Sequence, residues 1–237
     1  MKNGLSFWIA PEGVETKKNC HFFVLKSFSV DELPEALKLK IACESYYLLE
    51  INGITIGRGP ARGSSHIYFY DVYEIAGRLQ KGLNILKVEA FCMNVPTGRN
   101  NPPQAALRVE CGGLFGSDTD WEMAVQDREW PDEPPFYTMQ QGFCEWRDLR
   151  EQANYRKVRA VIVPEDSPVH QRELLPSDIP HPVEHEYLPG ESLFPAWVPD
   201  MDLTDKRIAV LADAEPHSPI PGEIAETLSE LTLGGVS

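Results

Sequence analysis

Cations are scarce in this chain, cysteines stand far apart, and no long apolar run occurs. Each shortage excludes a class of protein. Lysine and arginine number 22 against 36 aspartates and glutamates in 237 residues, a formal net charge of −14. A polyanion or an anionic bilayer would repel such a chain, so neither nucleic acid nor a membrane surface is expected as a partner. The five cysteines, Cys20, Cys43, Cys92, Cys111 and Cys144, are odd in number and form no CxxC pair. Neither a zinc knuckle nor a CxxC redox motif is therefore expected, and small apolar free thiols fit a reducing compartment better than a disulfide scaffold. No apolar stretch approaches the ~20 residues of a membrane helix. The opening MKNGLSFWIAPEGVE has neither the apolar core nor the cleavage site of a signal peptide, so the expected location is cytoplasmic. No GxSxG elbow occurs, and no cofactor is expected. Gly112-Gly113 reads as turn punctuation.

What the chain does have is strands. The stretch from Tyr46 to Ile75 is the most informative. It runs Tyr46 to Ile51, turns at Asn52-Gly53, and returns through Ile54-Thr55-Ile56. Asn-Gly between apolar residues is the strongest short hairpin signal, because a type I′ turn needs positive φ at both central positions. A turn-rich segment, residues 57–63, follows with two arginines, and then an aromatic strand from Ile67 to Tyr73. Further strands are predicted at Ser6–Ala10, His21–Val30, Ala36–Cys43, Leu83–Met93, Gln104–Cys111, Leu114–Phe115, Trp121–Gln126 and Tyr155–Val163. In ALKLKIAC (36–43) leucine and isoleucine alternate with lysine, which is one buried and one wet face. Asp71–Leu79 suggests at most a single helical turn. Closely spaced strands without βαβ alternation point to an all-β fold: an antiparallel, jelly-roll β-sandwich of galactose-binding-like type over residues 1–163.

Composition changes at Pro164. Prolines stand at 164, 168, 176, 180, 182, 189, 195, 199, 216, 219 and 221. Proline removes a donor and fixes φ, so residues 164–237 cannot supply many central strands. They read as a proline-rich extension, a surface-hugging connector over 164–205 with a further strand at 206–212 and a helical turn or strand lead at 223–231.

The order of motifs carries a family likeness. Trp8-Ile9 is followed by an aromatic strand from Phe22-Phe23 to Phe28, then INGITIGRGPARG (51–63), HIYFYDVYEI (66–75) and KGLNILKVEAF (81–91). Next come the Gly112-Gly113 turn and Ser117-Asp118-Thr119-Asp120-Trp121. Glu145-Trp146-Arg147-Asp148 and Leu174-Leu175-Pro176-Ser177-Asp178-Ile179-Pro180 come later. Across about residues 5–182 this resembles the N-terminal β-sandwich region of bacterial α-L-rhamnosidases, glycoside hydrolase family 78. The resemblance implies catalytic carboxylates on a downstream (α/α) barrel, where inversion needs one acid to protonate the leaving oxygen and one carboxylate to activate water. This chain has no long stretch with apolar residues at helical spacing, so the barrel is absent and no catalytic residue carries over. The expected role is a non-catalytic accessory region that braces a downstream catalytic domain and contacts a rhamnose-containing glycan. A free-standing carbohydrate-binding module is the alternative. An enzyme with its site on the sandwich, or activity only in a longer protein, are the others.

Four residues are candidates for carbohydrate or interface contact. Arg58 and Arg62 flank Gly59-Pro60-Ala61, and a guanidinium fork can grip a carboxylate or vicinal hydroxyls. The plainer reading staples one arginine to a nearby acid such as Asp71. Tyr68 and Tyr70 share one strand face and could form a platform for a pyranose; the plainer reading is packing. Asp118, Asp120 and Glu122 read as an exposed turn rather than a calcium loop. His181 and His185 have Pro182 between them, which argues against a metal-binding helix. No metal is expected. Glu145, Asp148 and Glu151 read as a solvated acidic surface.

Overall fold

The computed structural model describes residues 6–96, 104–126, 136–138, 142–143 and 155–181. The chain divides into two compact units, Met1–Val183 and Glu184–Ser237. The second unit, and with it the readings at 206–212 and 223–231, lies outside the described residues.

The described part is built from strands. In chain order they are β1 (Ile9–Pro11), β2 (Cys20–Val30), β3 (Lys38–Cys43), β4 (Tyr46–Ile51), β5 (Ile54–Gly59), β6 (Ile67–Glu74), β7 (Gly82–Cys92) and β8 (Leu107–Cys111). There follow β9 (Phe115–Gly116), β10 (Glu122–Gln126), β11 (Phe136–Thr138), β12 (Gly142–Phe143), β13 (Tyr155–Val158), β14 (Ala160–Ile162) and β15 (Glu173–Pro176). Short 3-10 turns sit at Ala76–Arg78 and Pro168–Gln171. One sheet runs β14-β1-β8-β3-β6-β15, with β9 beside β8. The other runs β13-β10-β2-β7-β4-β5, and β11 and β12 form a separate pair. The molecule is thus the all-β sandwich that the strand pattern implies.

The spine is the β2–β7 pair, in unbroken register from Cys20↔Cys92 to Val30↔Gly82. Side chains alternate along both strands, so one set fills the space between the sheets. Phe22, Val24, Leu86 and Val88 meet Leu39, Ile41, Leu49, Ile51, Leu107 and Val109 there, all without exposure. Asn84 is the polar exception in that layer. Its amide donates to the carbonyls of Gln80 and Gly82 at 2.8 and 3.0 Å and accepts from the Gln80 N–H and the Asn52 amide. A buried amide so fully partnered closes the turn before β7 instead of weakening the core.

Two elements differ from the sequence reading. First, β5 does not end at Ile56 but continues through Gly57, Arg58 and Gly59. A register shift between Leu49 and Glu50 on β4 accommodates it, and strand pairing overrides the turn tendency of glycine there. Second, residues past Pro164 supply β15. It pairs parallel with β6, from Glu173↔Ile67 to Pro176↔Tyr70, in a sheet otherwise antiparallel. Pro176 is tolerated because β15 is an edge strand. Before it, Ser167 caps the second 3-10 turn by accepting from the Val169 N–H and donating to Gln104.

A strap that runs between the two edge strands β14 and β15, residues 163–172, covers the outer face of the first sheet. Val163 and Val169 on the strap, with Val161 and Leu174 on those strands, close over Trp8, Ala10, Ala42, Tyr68 and Ala106. Small residues on β1 and β3 and just before β8 (Ala10, Ala42, Ala106) leave room for the strap to lie close. This sheet therefore has apolar side chains on both faces, and the other carries its main apolar layer inward.

Candidate functional site

The Asn52-Gly53 tip of the β4–β5 hairpin has φ of 52° and 77°, the positive pair a type I′ turn requires. The Asn52 side chain accepts from the Ile85 N–H at 3.0 Å and anchors the tip to β7. From that tip β5 returns along the open edge of the sandwich and faces β6 of the opposite sheet. A Cβ on Gly57 would lie 2.5 Å from the Tyr73 ring, and one on Gly59 would overlap the Asp71 carboxylate and lie 2.7 Å from the Tyr47 hydroxyl. Glycine is required at both positions by close approach.

These glycines wall a polar cluster. The Tyr47 hydroxyl donates to Asp71 Oδ2 and lies 3.0 Å from the Tyr73 hydroxyl, which reaches the Arg58 carbonyl at 3.4 Å. His181 stacks on Tyr73 with centroids 4.3 Å apart, and its Nε2 is 3.1 Å from the Val72 carbonyl. Burial pushes the Asp71 carboxyl above the usual carboxylate range, against the lowering effects of the Tyr47 hydrogen bond and His181. Burial likewise drives the Tyr47 phenol far up, with the nearby Tyr73 and Asp71 adding to it. The Tyr47 phenol therefore stays protonated and serves as a donor. Among the described residues the cluster has a single carboxylate, Asp71, whereas inverting glycoside hydrolysis uses two. Its chemistry is that of a rigid hydrogen-bonded brace between sheets.

Gly59→Ala is expected to lower stability by about 1–3 kcal/mol, the usual cost of overpacking a filled site. Gly77→Ala, where an added Cβ meets nothing within 4 Å, is the neutral control. Urea unfolding of both variants checks this, and equal midpoints would refute the close approach.

The four sequence candidates fall in two places. Arg58 is exposed on β5 and pairs across strands with Leu48, on the outer face of the second sheet. The Arg62 guanidinium lies over the Tyr46 ring at 5.1 Å. Tyr46 stacks with Phe91 at 6.3 Å, and Phe91 with His21 at 4.3 Å, so four flat groups form a row across that same face. Tyr68 and Tyr70 instead belong to the outer cluster of the first sheet. Tyr68 is 6% exposed, and its ring lies between Trp8, at 5.3 Å, and the Arg172 guanidinium, at 4.6 Å. The arginine pair and the tyrosine pair therefore do not converge on one site.

Sequence reasoning missed the group that organises the tyrosine side. Glu44, 1% exposed, accepts from the Tyr68 hydroxyl, and its Oε2 lies 3.7 Å from Nη1 of Arg172 on the strap. Nothing in CESYY marks this glutamate as buried, because its partner is 128 residues away. Asp120 N–H donates to the Asp118 carboxylate at 2.8 Å, which makes that acidic segment a self-bonded turn. Among the described residues no group of three or more His, Cys, Asp or Glu could hold a metal ion, and no helix is long and apolar enough to cross a membrane. Glu145, Asp148, Glu151 and His185 lie outside the described residues.

No protein-family model matches the sequence, and no curated protein matches it. Solved structures do. A GH78 family rhamnosidase of Bacillus sp. GL1 superposes with a TM-score of 0.66 at 26% identity, over 76% of this chain and 20% of that one. This domain has the fold of one part of a GH78 rhamnosidase. An α-L-rhamnosidase from Dictyoglumus thermophilum shares the fold at 15% identity and a TM-score of 0.51, over 74% of this chain and 22% of its own. The chain thus spans about a fifth of the length of these proteins.

Proposed function

We propose that this chain is the non-catalytic N-terminal accessory region of an α-L-rhamnosidase-like glycoside hydrolase. In this reading it braces a catalytic domain and presents Arg58 and Arg62 to a rhamnose-containing glycan or to the neighbouring domain. The observation that carries the reading is the match to one fifth of a GH78 rhamnosidase at 26% identity. The single-carboxylate cluster at the open edge agrees with a bracing role. In this reading residues 1–163 are the sandwich domain and 164–237 the proline-rich connector, with the segment through Pro176 packed on the sandwich.

Incubated with a nitrophenyl rhamnoside, the isolated chain is expected to release no nitrophenol. Release that survives repurification would overturn the accessory role. A second reading, a free-standing carbohydrate-binding module, is favoured by the row of Arg62, Tyr46, Phe91 and His21 on an outer face. Calorimetric titration with millimolar L-rhamnose separates the two. Saturable heat that is lost in Arg62→Ala assigns the arginines to glycan, as the module requires, and a flat titration removes the module and leaves them to the neighbouring domain.

A further inference from the structure

Cys20 opens β2, Cys92 closes β7, and the two are cross-strand partners. One residue beyond them, the Asn19 N–H donates to the Met93 carbonyl at 3.0 Å. Asn19 and Met93 are thus a hydrogen-bonded position. Antiparallel ladders alternate, so Cys20 and Cys92 occupy a non-hydrogen-bonded position, where Cα atoms come within about 4.5 Å and side chains lie closest. A disulfide spans Cα separations from about 4.4 Å upward. Both side chains point into the space between the sheets, 3% and 0% exposed, and both are free thiols.

Cys43 is the competing thiol: it neighbours both Cys20 and Cys92, but no strand pairing sets it opposite either of them. Its Sγ donates to the Glu44 and Tyr46 carbonyls, at 3.4 Å each, which turns it toward the β3–β4 corner. Cys111 lies in the other sheet, on β8. The Cys92 thiol contacts Asn94 Oδ1 at 2.9 Å and accepts from the Ser45 hydroxyl at 3.8 Å. The register thus gives Cys20 and Cys92 a common backbone frame that no other described pair of thiols has.

We propose that Cys20 and Cys92 are a redox modification site, forming a cross-strand disulfide with a low-molecular-weight disulfide as oxidant. The inference rests on strand register and is independent of the sugar reading. Cys20 reacts first, because it sits at the strand end beside the 17–19 turn and retains slight exposure. Its thiolate attacks the reagent disulfide, the reagent S–S bond breaks, and one reagent thiolate leaves. The Cys92 thiolate then attacks the Cys20 sulfur, closing the protein S–S bond and expelling the second reagent thiolate. Two protein thiols are oxidised, one reagent disulfide is reduced to two thiols, and the two protons released by the protein thiols go to those products. Burial pushes the Cys20 thiol up to about 12, so the thiolate is scarce at neutral pH and oxidation is slow there.

The test is to incubate the folded chain with oxidised glutathione at mildly alkaline pH, then denature it, block free thiols and map peptides without reduction. A Cys20–Cys92 linked peptide is expected, with the count of blockable thiols down by two from the five in the sequence. The melting temperature is expected to rise by about 5–10 °C, reversed by dithiothreitol, since the link closes a long loop. Cys92→Ala is expected to abolish both the linked peptide and the shift. Linkage of a different pair, a stable glutathione adduct at Cys20, or no linkage under conditions that oxidise the urea-unfolded chain would each overturn the proposal. The wild-type peptide map decides the matter even if the variant folds poorly.

Discussion

Glu44→Ala is expected to destabilise the sandwich by about 3–5 kcal/mol, the range seen when one partner of a buried ion pair is removed. Glu44 is 1% exposed, and the Arg172 side chain is 9% exposed. Removing the carboxylate takes the acceptor from the Tyr68 hydroxyl and the counter-charge from Arg172, while both stay inside the packed strap. Arg172 keeps its place over the Tyr68 ring, a cation–π contact worth about 1–2 kcal/mol at a desolvated site, so the arginine remains buried rather than swinging out. Glu44→Gln preserves an acceptor for Tyr68 and loses only the charge, so about half the effect is expected. Urea denaturation of the three proteins orders them wild type, Gln, Ala. If the alanine variant matches wild type, the buried pair is not what holds the strap.

Val169→Asp tests the strap from its apolar side. Val169 is 1% exposed and packs in the cluster of Trp8, Ala10, Tyr68 and Ala106. The substitution removes about 2 kcal/mol of aliphatic burial and sets a carboxylate on an apolar face, which costs several kcal/mol more unless the strap detaches. A total above about 4 kcal/mol approaches the whole stability of an ordinary domain. The expected result is loss of cooperative unfolding, or a strap cleaved by protease between about residues 163 and 172 while the remainder resists. Intact protein with native proteolytic resistance would mean that residues 164–176 are a connector and no part of the fold.

Much of the architecture is legible in the residues because strands report themselves locally. Alternation in ALKLKIAC predicts the inward Leu39 and Ile41, and the Asn52-Gly53 pair fixes the hairpin at the positions where both φ angles are positive. Those signals depend on neighbours one or two residues apart, and the period of two survives whatever sheet the strand joins. The strand ends are less legible. Gly57 and Gly59 look like turn residues in isolation, yet they lie within β5, because Tyr73 and Asp71 on the facing sheet leave no room for a Cβ.

The candidate site was legible only in part. Tyr68 and Tyr70 do share a face, but the covering strap comes from a proline-rich stretch whose composition argues against strands. Glu44 and Arg172 stand 128 positions apart, and no periodicity links such a pair. Residue order by itself determined the class of the fold, the hairpin, and the likeness to part of a rhamnosidase, since each rests on local pattern. Only the tertiary structure decided which glutamate is buried, which faces the arginines and tyrosines occupy, and that Cys20 meets Cys92. Burial, facing and register are relations between distant segments, and they come into being when the two sheets close on each other.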